Sequence, residues 1–500
     1  MQVVVDGSPL TIADVVAVAN GDANVVVDDT VTDRMAPARE LVQRVIDNDE
    51  VVYGITTGFG ALASTRIPTE RTVDLQYDLI RSHAAGVGPL LDASVVRAMQ
   101  VCRARTLAQG YSGVRPEVVL QIVALLDAGI VPAVPAQGSV GASGDLAPFA
   151  HLALPLVGEG KVLADGGTEA ASVALARAGI EPLVLEPKEG LSLLNGTEGM
   201  LAHGCLAVHR AGQLVDAVDA ACALSVEALM GSSRPFEQRI HALRPHPGQA
   251  TSAARIAHLL EGSEIDASHH DDFAHKVQDA YSLRCAPQVH GAVRDTIAFA
   301  AAVFSRELGA VVDNPIVFAD DGEVLSAGNF HGQPLAFALD YLAIATTELG
   351  SISERRTDRL LDPDRSSGLT PFLATEAGVS SGYMLTQYTA AAIVAENKVL
   401  AHPASVESIP TSGLQEDHVS MGFGAARKLE TVLDNTAKVI AVELMCAAQG
   451  LEQREASPAA GTKHVLDLVR SVCDPLVEDR PPGPDIERIA ELIETGAFSD

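Results

Sequence analysis

The chain has 500 residues, 47% of them hydrophobic and 20% charged, with no tryptophan and only 4% aromatics. That composition supports a large core built of Ala, Val and Leu and excludes a disordered chain. A formal net charge of -30, from 65 acidic against 35 basic residues, repels phosphate backbones and anionic bilayers, which excludes nucleic acid and membrane as partners.

In chain order, "MQVVVDGSPLTI" predicts a short hairpin, two apolar runs flanking an Asp-Gly turn. Helical stretches at 36–47 and 116–128 then alternate with Gly and Pro breaks, so residues 1–195 read as a mixed, irregular N-terminal region. From 196 to 500 the pattern changes to long helices. Residues 197–230, 291–312, 332–355, 380–400 and 424–453 are dominated by Ala, Leu, Val and Glu, with few interior breakers. In the third of these, Leu335, Leu339, Leu342 and Leu349 share one face while Phe337, Tyr341 and Ile344 occupy another. A helix apolar on so much of its circumference needs neighbours on several sides, which predicts a central bundle and contacts with other subunits. The uncharged window 377–395 carries Ser, Gln and Thr throughout, and predicts a buried helix rather than a membrane span. Near the end, "RPPGPDIERIAELIETG" predicts a short amphipathic helix with Ile486, Ile489, Ala490 and Ile493 inward. The fold class expected is therefore mainly α.

The six cysteines lie far apart with no CxxC pair, and the N-terminus lacks a basic segment followed by an apolar one. Both features predict a cytoplasmic protein without a disulfide framework. The acidic excess fits either a saline interior or the solubility of a large assembly.

Three motifs lose their first appeal in context. "GFGALA" at 58–63 fits a loose dinucleotide-binding pattern, but Pro68 stands where the binding helix would be well under way. "GASGD" is close to a nucleophile elbow, yet Asp145 replaces the last Gly, and Pro132 and Pro135 disfavour a strand leading in. The cluster His269, His270, Asp271, Asp272 and His275 has ligand-type side chains without zinc spacing, and reads as a polar loop. No metal is expected.

The stretch "VPAQGSVGASGDLAPFAHLAL" at 134–154 is too rich in Gly and Pro for regular structure. If the chain bends so that the Gly144 nitrogen meets the Ala142 carbonyl carbon, Ala142, Ser143 and Gly144 can cyclise. Ring closure loses one water, and elimination of the Ser143 hydroxyl loses a second. The product is a 4-methylideneimidazole-5-one, an electrophile made from the chain itself. Gly144 permits the approach, Ala142 avoids crowding and Ser143 supplies the leaving hydroxyl. On spacing alone, a flexible turn remains the competing reading.

"GSVGASGDLAPFAHLAL" closely resembles the signature of the aromatic amino acid ammonia-lyases, which carry this cofactor. The resemblance runs through "YGITTGFGALAS", "RSHAAGVG", "LLNGTEGM", "RPHPGQ", "VQDAYSLRCAPQ", "DNPIV", "GNFHG", "ERRTDRLLD" and "QEDHVSMG", nearly the whole chain. Thr56 is a slight departure, where relatives often have Asn or Ser. Ser82-His83 and Glu416 resemble the histidine-acting branch, since tyrosine and phenylalanine lyases show His-Leu or Phe-Leu and Gln there.

The resemblance implies non-oxidative deamination of L-histidine to trans-urocanate and ammonia, the first step of histidine degradation, with the self-made electrophile and no external cofactor. It implies a homotetramer whose active sites draw on three chains. It also makes Tyr53 the base for the β-proton and Arg284 the bidentate holder of the substrate carboxylate. Asn195, Gln278 and Tyr281 orient amine, carboxylate and cofactor oxygen; Phe330 shapes an apolar wall; His83 and Glu416 hold the imidazole. Taken singly, Tyr53 reads as an aromatic capping a turn, Arg284 as a surface ion pair and His83 as a core histidine. The rivals are a tyrosine or phenylalanine lyase or aminomutase of the same family, and a helical scaffold without catalysis.

Overall fold

The first apolar run forms the strand Gln2–Val5, but its partner is not the segment after Asp6-Gly7. It pairs in parallel with Asn24–Val27, and the helix Ile12–Asn20 makes the crossover. The predicted hairpin is thus corrected to a strand–helix–strand unit. The reason is local: Thr11 Oγ1 accepts the amide of Asp14 at 3.1 Å and the Asp14 carboxylate accepts the amide of Thr11 at 2.9 Å. This reciprocal cap starts a helix where a second strand was expected.

The computed structural model describes residues 1–269 and 277–499. They fall into two compact units, each assembled from separate stretches. One comprises Met1–Leu206, Ala301–Leu339 and Pro403–Arg427; the other comprises Ala207–Ala300, Asp340–His402 and Lys428–Asp500. The expected boundary at 195/196 falls inside the first unit.

In the first unit, the helix Thr30–Asp47 buries Ala38, Leu41, Val42, Val45 and Ile46 against Ile55 and Val317. Ile55 is fully buried, so this small core anchors the turn that carries Tyr53. The helices Thr72–His83, Ala93–Leu107, Leu146–Ala153 and Glu189–Leu194 complete the frame. A three-residue strand, Pro135–Gln137, does precede the Ala-Ser-Gly loop and pairs antiparallel with Val87–Leu90, despite the prolines. In a two-stranded sheet Pro135 sits on a free edge, where its missing N–H costs no ladder bond.

The long helices run Glu198–Ala228, Ala286–Glu307, Gln333–Leu361, Met384–Leu400 and Gly422–Leu451, close to expectation. Leu335, Leu339, Leu342 and Leu349 are fully buried, whereas Phe337, Tyr341 and Ile344 on the other face are about half exposed. Gln333–Leu361 is also long and apolar enough to cross a membrane, but 67% of its most apolar window is buried in protein. The window 377–395 departs from expectation. Its helix begins only at Met384 and buries just Thr386, Ala390 and Asn397, leaving Leu385, Tyr388 and Val399 exposed. In the second unit, the helix Gly483–Glu494 buries Ile486, Ile489, Ala490 and Ile493 as its spacing demands.

Candidate active site

Segments distant in sequence but all in the first unit surround a cavity of 590 Å³. Tyr53, His83, Ser143, Asn195 and Glu416 border it together. Gly58, Phe59 and Gly60 of "GFGALA" also line it, with a short 3-10 turn at Gly60–Leu62 in place of any binding helix. That turn is tied to another lining segment: the Ala61 amide donates to Ser412 Oγ at 3.2 Å.

His83 ends the helix Thr72–His83, and its Nδ1 lies 2.9 Å from the Leu79 carbonyl. A carbonyl only accepts, so Nδ1 carries the hydrogen. Burial pulls the His83 pKa down, while the Leu79 bond and the Glu416 charge oppose it. A neutral ring bonded in this way presents Nε2 as an acceptor. Glu416 takes a hydrogen bond from Thr411 Oγ1 on one oxygen, at 2.9 Å.

Asn195 is buried, and its Nδ2 donates to Asp313 Oδ1 at 3.2 Å and to the Asn314 carbonyl at 2.8 Å. Its Oδ1 is left without a partner among the described residues. A held amide with a free oxygen suits a ligand that brings N–H donors. Tyr53 is partly buried; desolvation raises its phenol pKa, the Gly60 amide lowers it and the Glu416 charge raises it again.

Ala142 is buried and Ser143 faces the cavity. Gly144 has φ +74°, and a Cβ built there would fall on the carbonyl oxygen of Gly196. Only glycine fits a backbone pressed this closely against another. The next residue, Asp145, was not singled out for a role from sequence. Its carboxylate is fully buried, accepting from Ser139 Oγ at 2.9 Å and from the Met200 amide at 2.8 Å. The only sequence signal was its place, a carboxylate set directly between Gly144 and the apolar run that opens the helix Leu146–Ala153.

Gln278, Tyr281 and Arg284 are not brought to this cavity. They lie in the second unit and line a separate hollow of 360 Å³ with Arg359. Arg284 gives its Nε to the Asp279 carbonyl at 2.9 Å and stands 4.5 Å from the centre of the Tyr281 ring. Phe330 is half-buried in the turn before Gln333–Leu361 and does not border the cavity. In the polar cluster, His269 bonds the Gly231 carbonyl at 3.0 Å; His270, Asp271, Asp272 and His275 lie outside the described residues.

A profile for aromatic amino acid lyases matches residues 10–471. The chain belongs to the aromatic amino acid lyase family. Among relatives of this lyase, the histidine ammonia-lyase of Gloeobacter violaceus is 53% identical over 494 residues, covering 99% of this chain and 96% of that one. The crystal structure of histidine ammonia-lyase from Trypanosoma cruzi superposes with a TM-score of 0.91 at 42% identity, covering 100% and 94% of the two chains. Tyrosine aminomutase from Streptomyces globisporus superposes at 0.94 with 40% identity, covering 100% and 98%. The fold is common to enzymes with different chemistry, so selectivity rests on side chains in the site.

Buried Asp145 is expected to make the stability of this lyase depend on pH. Burial pushes its carboxyl up to about 7 from 3.8, against the opposing bonds from Met200 and Ser139. The unfolded carboxyl ionises first, so this stabilisation is present below 3.8 and is lost as pH rises towards 7. Replacing Asp145 by Asn removes the titrating group. In urea titrations across that window, the variant is expected to gain on wild type by a few kcal/mol as pH rises; a pH-independent difference contradicts the assignment.

Proposed function

We propose that this lyase is a histidine ammonia-lyase, converting L-histidine to trans-urocanate and ammonia in the cytoplasm. What carries the reading is the meeting of His83 and Glu416 with Ser143 and Tyr53 around one cavity. The residues fit the methylidene-imidazolone: Gly144 stands where no Cβ could, Ala142 is buried and Ser143 faces the cavity. Once formed, that group supplies an electrophilic carbon that turns the substrate amine into a better leaving group.

The other tasks fall to side chains. Asn195 Oδ1 accepts from the substrate amine. Tyr53 takes the β-proton, and must do so as phenolate although burial raises its pKa. The helices Leu146–Ala153 and Glu198–Ala228 begin beside Gly144 and Gly196, and their positive ends favour such an anion. His83 Nε2 and Glu416 are both acceptors, so they pair with the two ring nitrogens of histidine when one further proton is shared among the three. A phenyl ring leaves both unpaired, which is the costly side of the discrimination. His83→Ala and Glu416→Ala are each expected to lower kcat/KM for histidine by about ten- to a thousandfold, read as urocanate absorbance. Unchanged values in both would remove the imidazole contact.

Arg284 offers two Nη groups without partners among the described residues, a fork suited to the substrate carboxylate. With Gln278 and Tyr281 it would reach the site from a neighbouring copy, in a homotetramer with shared active sites. The exposed apolar residues Phe337, Tyr341 and Ile344 support such an assembly. Inactive Ser143→Ala and Arg284→Ala chains, unfolded together and co-refolded, are then expected to regain activity; mixtures as dead as either parent contradict sharing.

The likeness to tyrosine aminomutase keeps one second reading in play. Purified protein assayed on histidine, tyrosine and phenylalanine decides it: urocanate formed fastest supports the proposal, and coumarate, cinnamate or a β-amino acid formed faster overturns it.

A further inference from the structure

Arg103 is a fully buried guanidinium on the helix Ala93–Leu107, and no step above uses it. Its Nε donates to the Ser192 carbonyl at 3.0 Å, a contact that Nη2 shares. Nη2 also reaches the Asn195 carbonyl at 3.1 Å, and Nη1 reaches Glu198 Oε1 at 2.7 Å. The Phe149 ring lies 5.8 Å from the guanidinium carbon. A buried ion pair is a poor source of stability, since desolvation offsets the Coulombic gain, but a guanidinium with this many fixed partners is rigid.

The groups it grips flank Gly196: the Ser192 carbonyl in the last turn of Glu189–Leu194 and the Asn195 carbonyl before it, and the Glu198 carboxylate that opens the next helix after it. The Gly196 carbonyl accepts the Asp145 amide at 2.8 Å, and Gly144 and Gly196 pair as an isolated bridge. A Cβ on Gly144 would strike the Gly196 carbonyl, and a Cβ on Gly196 would strike Arg103 and Glu198. Guanidinium, Gly196 segment and loop are therefore stacked without slack.

We propose that Arg103 is a positioning residue for cyclisation of Ala142, Ser143 and Gly144: by clamping the segment Ser192–Glu198 it holds Gly196 as the wall that presses the Gly144 nitrogen toward the Ala142 carbonyl carbon. This rests on the cofactor reading above. In the step served, the Gly144 nitrogen bonds to the Ala142 carbon and its proton passes to the carbonyl oxygen. That oxygen leaves as water with the Ser143 amide proton. Ser143 then loses its α-proton and hydroxyl as a second water, and no oxidant is consumed.

The test is the intact mass of denatured chains taken from the folded, size-selected fraction of Arg103→Lys, which keeps the charge and loses the fork. The fraction of chains two waters lighter than the sequence is expected to fall at least tenfold below wild type, with helical circular dichroism retained. A merely structural role would lower the melting temperature and leave that fraction unchanged, and this result overturns the proposal. If Arg103→Lys yields no folded material, the isosteric Glu198→Gln is read instead: a reduced mature fraction supports the clamp, and a wild-type fraction overturns it. Wild-type protein without the two-water loss removes the cofactor reading itself, and the clamp with it.

Discussion

A Ser143→Ala chain is expected to fold normally and to turn over histidine at least about a thousandfold more slowly than wild type, since it loses the electrophile on which departure of ammonia depends. Mass separates cause from coincidence. Ring closure accounts for one water and dehydration of Ser143 for the other, so wild type is expected to be two waters light and the variant to lose at most one. The helices are untouched, because Ser143 lies in the loop between Pro135–Gln137 and Leu146–Ala153 and is part of neither. Full activity in the variant refutes the self-made cofactor.

Tyr53→Phe is expected to be nearly as severe, falling about a hundred- to ten-thousandfold, the range a positioned base supplies. Here the mass is expected to stay two waters light, because no bond of the proposed ring closure involves the phenol. The pH profile carries the sharper test. A base works unprotonated, and desolvation together with the Glu416 charge holds the Tyr53 proton on to higher pH than for a free phenol in this chain. The wild-type kcat is therefore expected to climb through the alkaline range, and Tyr53→Phe to lose that limb while keeping a low, flat rate. A variant that retains the limb points to another base.

The residues that meet at the cavity were legible because a long ordered series of motifs tied Tyr53, His83, Ser143, Asn195 and Glu416 to one chemistry before any fold was known. The long helices were legible for a simpler reason: Leu335, Leu339, Leu342 and Leu349 repeat at helical spacing and are all buried. What escaped was of two physical kinds. Competition between local signals hid the first strand's partner, since Asp6-Gly7 is a good hairpin turn and the Thr11–Asp14 cap is a better helix start. Burial of charge hid the rest. Arg103, Glu198 and Asp145 look like surface residues by type, and only their position against Gly196 and Met200 makes them framework. The exposed face of Met384–Leu400 was unreadable as well, because apolar composition alone does not say whether a face packs within its own chain.

The loop around Ala142 is closed by residues that come much later in the chain: the Asp145 amide meets the Gly196 carbonyl, and the Met421 amide meets the Val140 carbonyl at 3.0 Å. While a ribosome is still synthesising the region before Met421, that second brace does not exist. A chain that ends before Met421 keeps the Gly196 contact in its sequence but lacks the partner for the Val140 carbonyl, so only one side of the loop can be braced. If the tripeptide cyclises as proposed, the loop's two-sided bracing lets the electrophile arise in the folded first unit, already enclosed by the residues that use it.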